Sequence, residues 1–445
     1  MVAVARPDPE KTRRLVGVLL YSLFMLGGAL LVVLLFIVPA FMGEHDAATE
    51  FEAMGVGALL ALPPLIIYLW LPWVIDRYDP EPWWCLALVL LWGGVAAIGF
   101  AAFINTGVHV VGSAIGGEAC GTVMTVSISA PFVEEFWKGL AVFGVFYFLR
   151  REFDGVVDGI IYATFCALGF AAIENITYYA RAAVADPNYD ALAGTVFVRG
   201  ILSPWGHPLY TSMTGIGFGV ARETHRAWLR WMAPIFGYFG AVFLHATWNT
   251  IATVSGFLTM VMLPAWFVVV IAFLCMIIWL VIRKGKTIRA NLQDEVLLGN
   301  LTPWELDLVC SPFGRMKAQM NYGGSAGRRF VGAAARLGLS KWHAARAAKG
   351  RQRTVSADWV VPLRQELHQL REEIARAKGG NIQRPQAWSP PMQAQYPQYP
   401  QQQQQPYPQQ PPPPGYPPRG GGGQGGGQGG GQSGGQGGGF GGGFG

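Results

Sequence analysis

Apolar residues in this chain come in long unbroken runs, without the alternation of a half-buried strand or the one-sided stripe of a soluble helix. The runs fall at about 15–41, 53–75, 84–112, 122–149, 155–180, 196–221, 231–254 and 258–282. Each is longer than the roughly 18 residues that read as a membrane-crossing helix. The pattern predicts an all-α, polytopic membrane protein with about eight transmembrane helices. The polar residues between the runs alternate in sign. Arg13 and Arg14, Arg77, Arg150 and Arg151, Arg222, Arg226 and Arg230, and Arg283, Lys284 and Lys286 fall on one side. Glu44, Asp46, Glu50 and Glu52, then Glu118, then Asp186 and Asp190 beside Arg181, fall on the other. Positive charge marks the cytoplasmic side, which places a multi-pass chain in a plasma (inner) membrane with both termini cytoplasmic. The gap at 255–257 is short, and the side assigned to the tail depends on it.

Composition agrees with the runs. The chain of 445 residues is 51% hydrophobic and only 13% charged, against about 25% charged in ordinary soluble domains. The basic residues ahead of the first run (Arg6, Lys11, Arg13, Arg14) resemble a signal peptide. The run itself is too long for one and lacks a small-residue cleavage site, so it reads as an uncleaved first span. The 5 cysteines form no CxxC pair, and neither a thiolate zinc site nor a disulfide framework is indicated. Four regions follow: a cytoplasmic N-terminus (1–14), a transmembrane domain (15–282), a basic and partly helical cytoplasmic region (283–378) and a disordered tail (379–445).

Charge inside the runs is scarce and therefore informative. The segment Pro131-Phe132-Val133-Glu134-Glu135-Phe136-Trp137-Lys138-Gly139 puts two carboxylates and an ammonium at bilayer depth, where each costs about 2.5 kcal/mol or more on insertion. Lys138 lies one helical turn from both glutamates and can neutralise one of them. An internal ion pair that only joins helices is the plainer explanation. Glu174, His207 and His245 argue for more. At about 1.5 Å of rise per residue, Glu134 lies roughly 18 Å below the outer boundary, His207 about 16 Å, His245 about 13 Å and Glu174 about 9 Å. Residues from four separate spans thus share one outer-to-middle layer, which predicts a buried polar cavity open toward the extracytoplasmic side.

The local contexts suit hydrolysis. His245 and Asn249 stand one turn apart on one face; an imidazole can ligate a metal or take a proton, and an amide can hold a water or a developing oxyanion. Pro208 disfavours the helical conformation at His207 and predicts a break in that span beside the cavity. Glu174 and Asn175 place a carboxylate and an amide side by side. Asp158 and Arg199 read as interfacial groups, and His109 as structural. Two mechanisms remain open. In one, His207, His245 and a glutamate such as Glu135 bind zinc or another divalent metal while the second glutamate is the base. In the other, a glutamate activates water directly and a histidine with Asn249 stabilises the oxyanion. There is no HExxH motif to favour the metal. An aspartyl mechanism lacks a second deep aspartate, and a serine mechanism lacks a GxSG-like turn.

Glu134-Glu135-x-x-Lys138, the run from Asp158-Gly159 to Phe170-x-x-x-Glu174-Asn175, His207-Pro208-Leu209 and Leu244-His245-x-x-Trp248-Asn249 resemble the motif series of the PrsW family of intramembrane proteases, distant relatives of the CAAX-prenyl endopeptidases. The segment 76–83 is similar to a pre-span segment of that family, and the resemblance covers roughly 55–285. It implies cleavage of membrane-anchored proteins, with anti-sigma factors the best-known type. It also implies a catalytic group of Glu134, Glu135, His207, His245 and Asn249, supported by Lys138, Glu174 and Asn175. Glu174 stands where the CAAX relatives have a histidine. Two other classes use the same residues: a non-catalytic scaffold that recognises transmembrane helices, and a proton-coupled transporter with the carboxylates as a relay.

The tail adds partners, not chemistry. From Arg315 to Arg353 there are ten Lys/Arg and no acid, a run attracted to anionic membrane lipids at about 1 kcal/mol per basic residue; nucleic acid is not expected. Leu363, Leu367, Leu370 and Ile374 have coiled-coil spacing over fewer than three heptads. The Gln/Pro/Tyr-rich and Gly-rich end is too poor in aliphatic residues to fold and suits recruitment of a protein partner.

Overall fold

The computed structural model describes residues 9–42, 46–75, 78–186, 188–254, 256–311, 313–322, 324–349 and 355–377. The tail beyond 377, Asp76 and Arg77 of the pre-span segment, and Glu44 lie outside them. The described residues are 92% helical, with no strand. Six helices are long and apolar enough to cross a membrane, where the hydrophobic pattern predicted about eight. Two features account for the difference. Residues Trp83–Phe148 form one apolar run, made of α3 (Trp83–Leu91), α4 (Ile98–Val123) and α5 (Ala130–Phe148) joined by π-helical turns. It folds back on itself at Gly116 and Gly117, where Gly117 has φ +80°, a left-handed conformation that glycine adopts without strain. The two legs then touch at Gly112 and Gly121, and Ser129 Oγ donates to Asn105 Oδ1 across them at 2.7 Å. The other feature is the expected span at 196–221. It divides into α7 (Asp190–Val196), a π-helical turn and α8 (Gly206–Glu223), and the threonines, serine and glycines of α8 dilute its apolar content.

The remaining membrane helices are α1 (Pro9–Val32), α2 (Ala47–Ile75), α6 (Val156–Ala185), α9 (Ala227–Val254) and α10 (Gly256–Leu297). Helix α6 is the axis of the bundle, its apolar stretch almost wholly covered by protein, whereas α1, α2 and α9 leave most of theirs facing outward. Close approach makes this possible. A side-chain carbon on Gly159 or Gly215 would fall 2.1 Å from the other residue's carbonyl oxygen, so α6 and α8 meet backbone to backbone, as small residues allow between membrane helices. That contact fixes the height of α8, and with it His207.

One end of the bundle collects the basic loops. Arg151 pairs with Glu10, Arg222 donates to the Arg150 carbonyl, and Lys284 binds Asp158 at 2.9 Å. Asp158 also accepts the backbone N–H groups of Asp154 and Gly155, which makes it the cap of α6. Helix α10 runs without interruption through 282–283 for 42 residues, about 63 Å at 1.5 Å per residue. That is twice the roughly 30 Å of a hydrocarbon core, so its end leaves the membrane and carries α11 (Pro303–Cys310), α12 (Gly314–Tyr322), α13 (Gly324–Lys349) and α14 (Val360–Ala377). The stripe Leu363, Leu367, Leu370 and Ile374 is buried against α13 in the same chain. It serves an internal helix pair, not a coiled coil.

Candidate active site

Helix α5 delivers the acidic pair. A π-helical turn at Met124–Ser129 leads into it, and Pro131 lies in its first turn, where a missing N–H leaves no partner unsatisfied. Glu134, Glu135 and Lys138 then project into the protein, with Glu135 and Lys138 at 0% exposure and Glu134 at 6%. Lys138 Nζ donates to Glu135 Oε1 at 3.0 Å and to Glu134 Oε2 at 3.3 Å. Its third donor meets His207 Nδ1 at 3.0 Å, and the Phe170 ring lies 4.0 Å from the ammonium.

His207 enters from α8. The break expected at this residue lies just before it, at 203–205, and His207 itself is in the first turn of the helix. There Pro208 needs no N–H partner. Because Lys138 donates to Nδ1, the other ring nitrogen carries the proton and donates to Glu174 Oε2 at 2.8 Å. Arg199 reaches the same Glu174 oxygen at 2.5 Å and Asn175 Oδ1 at 2.8 Å. Arg199 is therefore part of the cluster and not the interfacial group that its position suggested; lying next to a span end hid it. His109 instead pairs with Glu118 at 3.1 Å, outside the cluster.

His245 enters from α9, 2% exposed. Its Nδ1 donates to Glu135 Oε1 at 3.1 Å, and Nε2 lies 3.9 Å from Glu134 Oε2. The two imidazoles are 5.2 Å apart, edge to face. Asn249 lines the same cavity, but its amide donates to the Val126 carbonyl at 3.2 Å, bracing the turn that precedes α5. Two partners escaped the sequence reading. Thr211 donates to Glu135 Oε2 at 2.8 Å, and Tyr210 stacks on His245 with ring centroids 4.9 Å apart. Both stand three or four residues after His207, a helical spacing that was available as a signal.

The two glutamates differ in what is left of their hydrogen-bonding capacity. Glu135 accepts from Lys138, His245 and Thr211 and does not line the cavity. Glu134 accepts from Lys138 alone and lines a cavity of about 750 Å³ with Glu174, His207, Tyr210, His245 and Asn249. The cavity extends past Asn105 and Thr125 to Pro64 and Tyr68 of α2.

Comparison with known proteins points to one family. Residues 81–279 match the model of the PrsW family intramembrane metalloproteases. Over those residues, just under half of its length, the chain is similar to the PrsW family. It is 28% identical over 195 residues to Protease PrsW of Geobacillus kaustophilus, covering 39% of this chain and 79% of that one. To Protease PrsW of Bacillus subtilis it is 26% identical over 218 residues, 48% of this chain and 87% of the other. No solved structure matches. This chain is thus a PrsW-type intramembrane protease, a peptidase of the multi-pass membrane class.

The family description implies a metal, and the donors can be tested for one. Glu134, His207 and His245 offer a carboxylate oxygen and two imidazole nitrogens within 4.8 Å of one another, a ligand set of the type zinc uses. Both nitrogens of His207 are already engaged, however, and the Lys138 ammonium sits within 3.3 Å of Glu134 and 3.0 Å of His207. A divalent cation would share its ligands with a fixed positive charge. As arranged, these residues do not fit a bound metal.

Proposed function

We propose that Glu134 is the general base of a glutamate-type endopeptidase acting on single-span or membrane-anchored proteins near their extracytoplasmic end. What carries the reading is that Glu134 is the carboxylate that holds one donor and faces the cavity, beside a partner that holds three and does not line it. A water bound at Glu134 loses a proton to that carboxylate as its oxygen bonds to the scissile carbonyl carbon. The proton then goes to the leaving nitrogen as the C–N bond breaks. General-base assistance of this kind is worth about 10²–10⁴-fold. Glu135 and Thr211 hold His245 and Lys138 in place, Lys138 neutralises the acidic pair, and the Arg199–Glu174 pair orients His207 and closes the outer end. Asn249, with Asn175, supports the cavity wall.

The substrate class follows the family resemblance: membrane-anchored proteins of the anti-sigma-factor type. The cavity supports it by lying among helices rather than at a soluble surface. The basic loops gathered at one end put that end in the cytoplasm by the positive-inside rule, together with both termini. The test is co-expression with a membrane-anchored substrate: Glu134→Gln leaves a folded protein that no longer cleaves it. Undiminished cleavage by that variant would reject the assignment.

A further inference from the structure

An enzyme that attacks an amide needs a donor for the oxygen that becomes negatively charged. The donors nearest the acidic pair are largely engaged. His207 gives its proton to Glu174, His245 gives its Nδ1 proton to Glu135, the Asn249 amide serves the Val126 carbonyl, and the three protons of Lys138 meet Glu134, Glu135 and His207. Granting the reading that this site hydrolyses peptide bonds, we infer that the Tyr210 hydroxyl is the hydrogen-bond donor to the scissile carbonyl oxygen.

Four observations converge on this phenol. Tyr210 is 2% exposed, yet its hydroxyl is one of the few buried side-chain polar atoms with no hydrogen-bond partner among the described residues. A buried hydroxyl left unpaired is destabilising, and a site that keeps one keeps it for a ligand or a water. The ring is locked in place: it stacks on His245 with an interplanar angle of 20° and meets His207 and Trp266 edge-on. The residue next to the hydroxyl is Gly206, where a side-chain carbon would come within 3.1 Å of the phenol oxygen. Gly206 and Tyr210 both line the cavity, and at residue 206 no side chain stands against the hydroxyl. Two other hydroxyls lack partners. Thr214 does not line the cavity, and Thr125 lines it, but of the three only Tyr210 is stacked on His245. In the reaction Tyr210 keeps its proton throughout. It donates weakly to the neutral carbonyl and more strongly to the tetrahedral oxyanion, so its contribution falls on the chemical step.

Tyr210→Phe tests this cleanly, because the ring and its stacking are retained. In proteoliposomes with a co-reconstituted single-span reporter that the wild-type chain cleaves, kcat of the variant drops about 100- to 1,000-fold, as for loss of one oxyanion donor. KM stays within about twofold, because the bond strengthens only after binding, and the melting temperature is no lower than that of the wild type. A Tyr210→Phe enzyme within threefold of the wild type, or a loss that follows Thr125→Val instead, overturns the inference. Glu134→Gln run alongside separates the two readings. If it is inactive while Tyr210→Phe is fully active, the inference about Tyr210 alone falls. If Glu134→Gln is active, the hydrolytic assignment on which it rests falls.

Discussion

Two buried glutamate clusters in this chain use similar partners to different ends. At the end of the bundle that carries α11 to α14, Glu295 is 0% exposed and accepts from Lys341 at 2.7 Å, Asn300 at 2.7 Å and Arg364 at 2.6 Å. Every direction around that carboxylate is filled, and the result is a joint between α10, α13 and α14. In the membrane, Glu135 is filled in the same way, but its neighbour Glu134 holds one donor and opens on a cavity. A saturated carboxylate is architecture; an unsaturated one beside space for water is a reagent. Burial and charge alone do not separate the two, and counting the remaining lone pairs does.

The largest effect that would sharpen this contrast is on activity. Glu134→Gln lowers the cleavage rate by about 10²–10⁴-fold with a nearly unchanged melting temperature, whereas Glu295→Gln lowers the melting temperature and leaves the specific activity of the folded fraction intact. Parallel cleavage and melting assays read both; equal activity losses in the two variants would erase the distinction. Next is Lys138→Met, which leaves two carboxylates facing each other without their shared cation. Removing one partner of a buried pair costs roughly 3–5 kcal/mol, seen as a fall in unfolding midpoint in detergent. Arg364→Leu takes one charged hydrogen bond from Glu295, worth about 1.5–3 kcal/mol, and spares catalysis.

A further effect concerns pH. Asp79, partly buried between α2 and α3, has its carboxyl pushed up to about 7 by burial, against an ordinary value near 3.8. Its protonated form is the one favoured by the fold, so the folded chain holds an extra proton between about pH 4 and 7 and its contribution to stability declines as pH rises through that window. Asp79→Asn flattens this part of the melting-temperature profile; identical slopes for variant and parent would contradict it.

The depth arithmetic made the shared layer of Glu134, Glu174, His207 and His245 legible, because ionisable groups are rare in membrane helices and rise per residue is fixed. The lateral partners were less legible. Thr211 and Tyr210 are ordinary helix residues in type, and what distinguishes them is that α8, packed on α6 through Gly215 and Gly159, sets them against Glu135 of α5 and His245 of α9. Arg199 was misjudged because a long cation near a span end can reach water or fold inward, and only the presence of Glu174 and Asn175 at the same height decides. The span count exceeded the six long apolar helices because Trp83–Phe148 is one apolar run whose two legs, separate in the sequence reading, meet at the reversal at Gly117, and because the small and polar residues of α8 dilute the run at 196–221. The metal question turned on geometry: the right ligand types and the Lys138 ammonium beside the glutamates are in the sequence, and the contact of that ammonium with His207 is visible only in three dimensions.

The most direct measurement is cleavage of the co-reconstituted reporter by protein whose metal content has been determined, before and after treatment with a strong chelator. The account predicts full activity at well below one metal ion per chain and no change on chelation, with Glu134→Gln inactive under both conditions. Activity that disappears with the chelator and returns on adding zinc would contradict it.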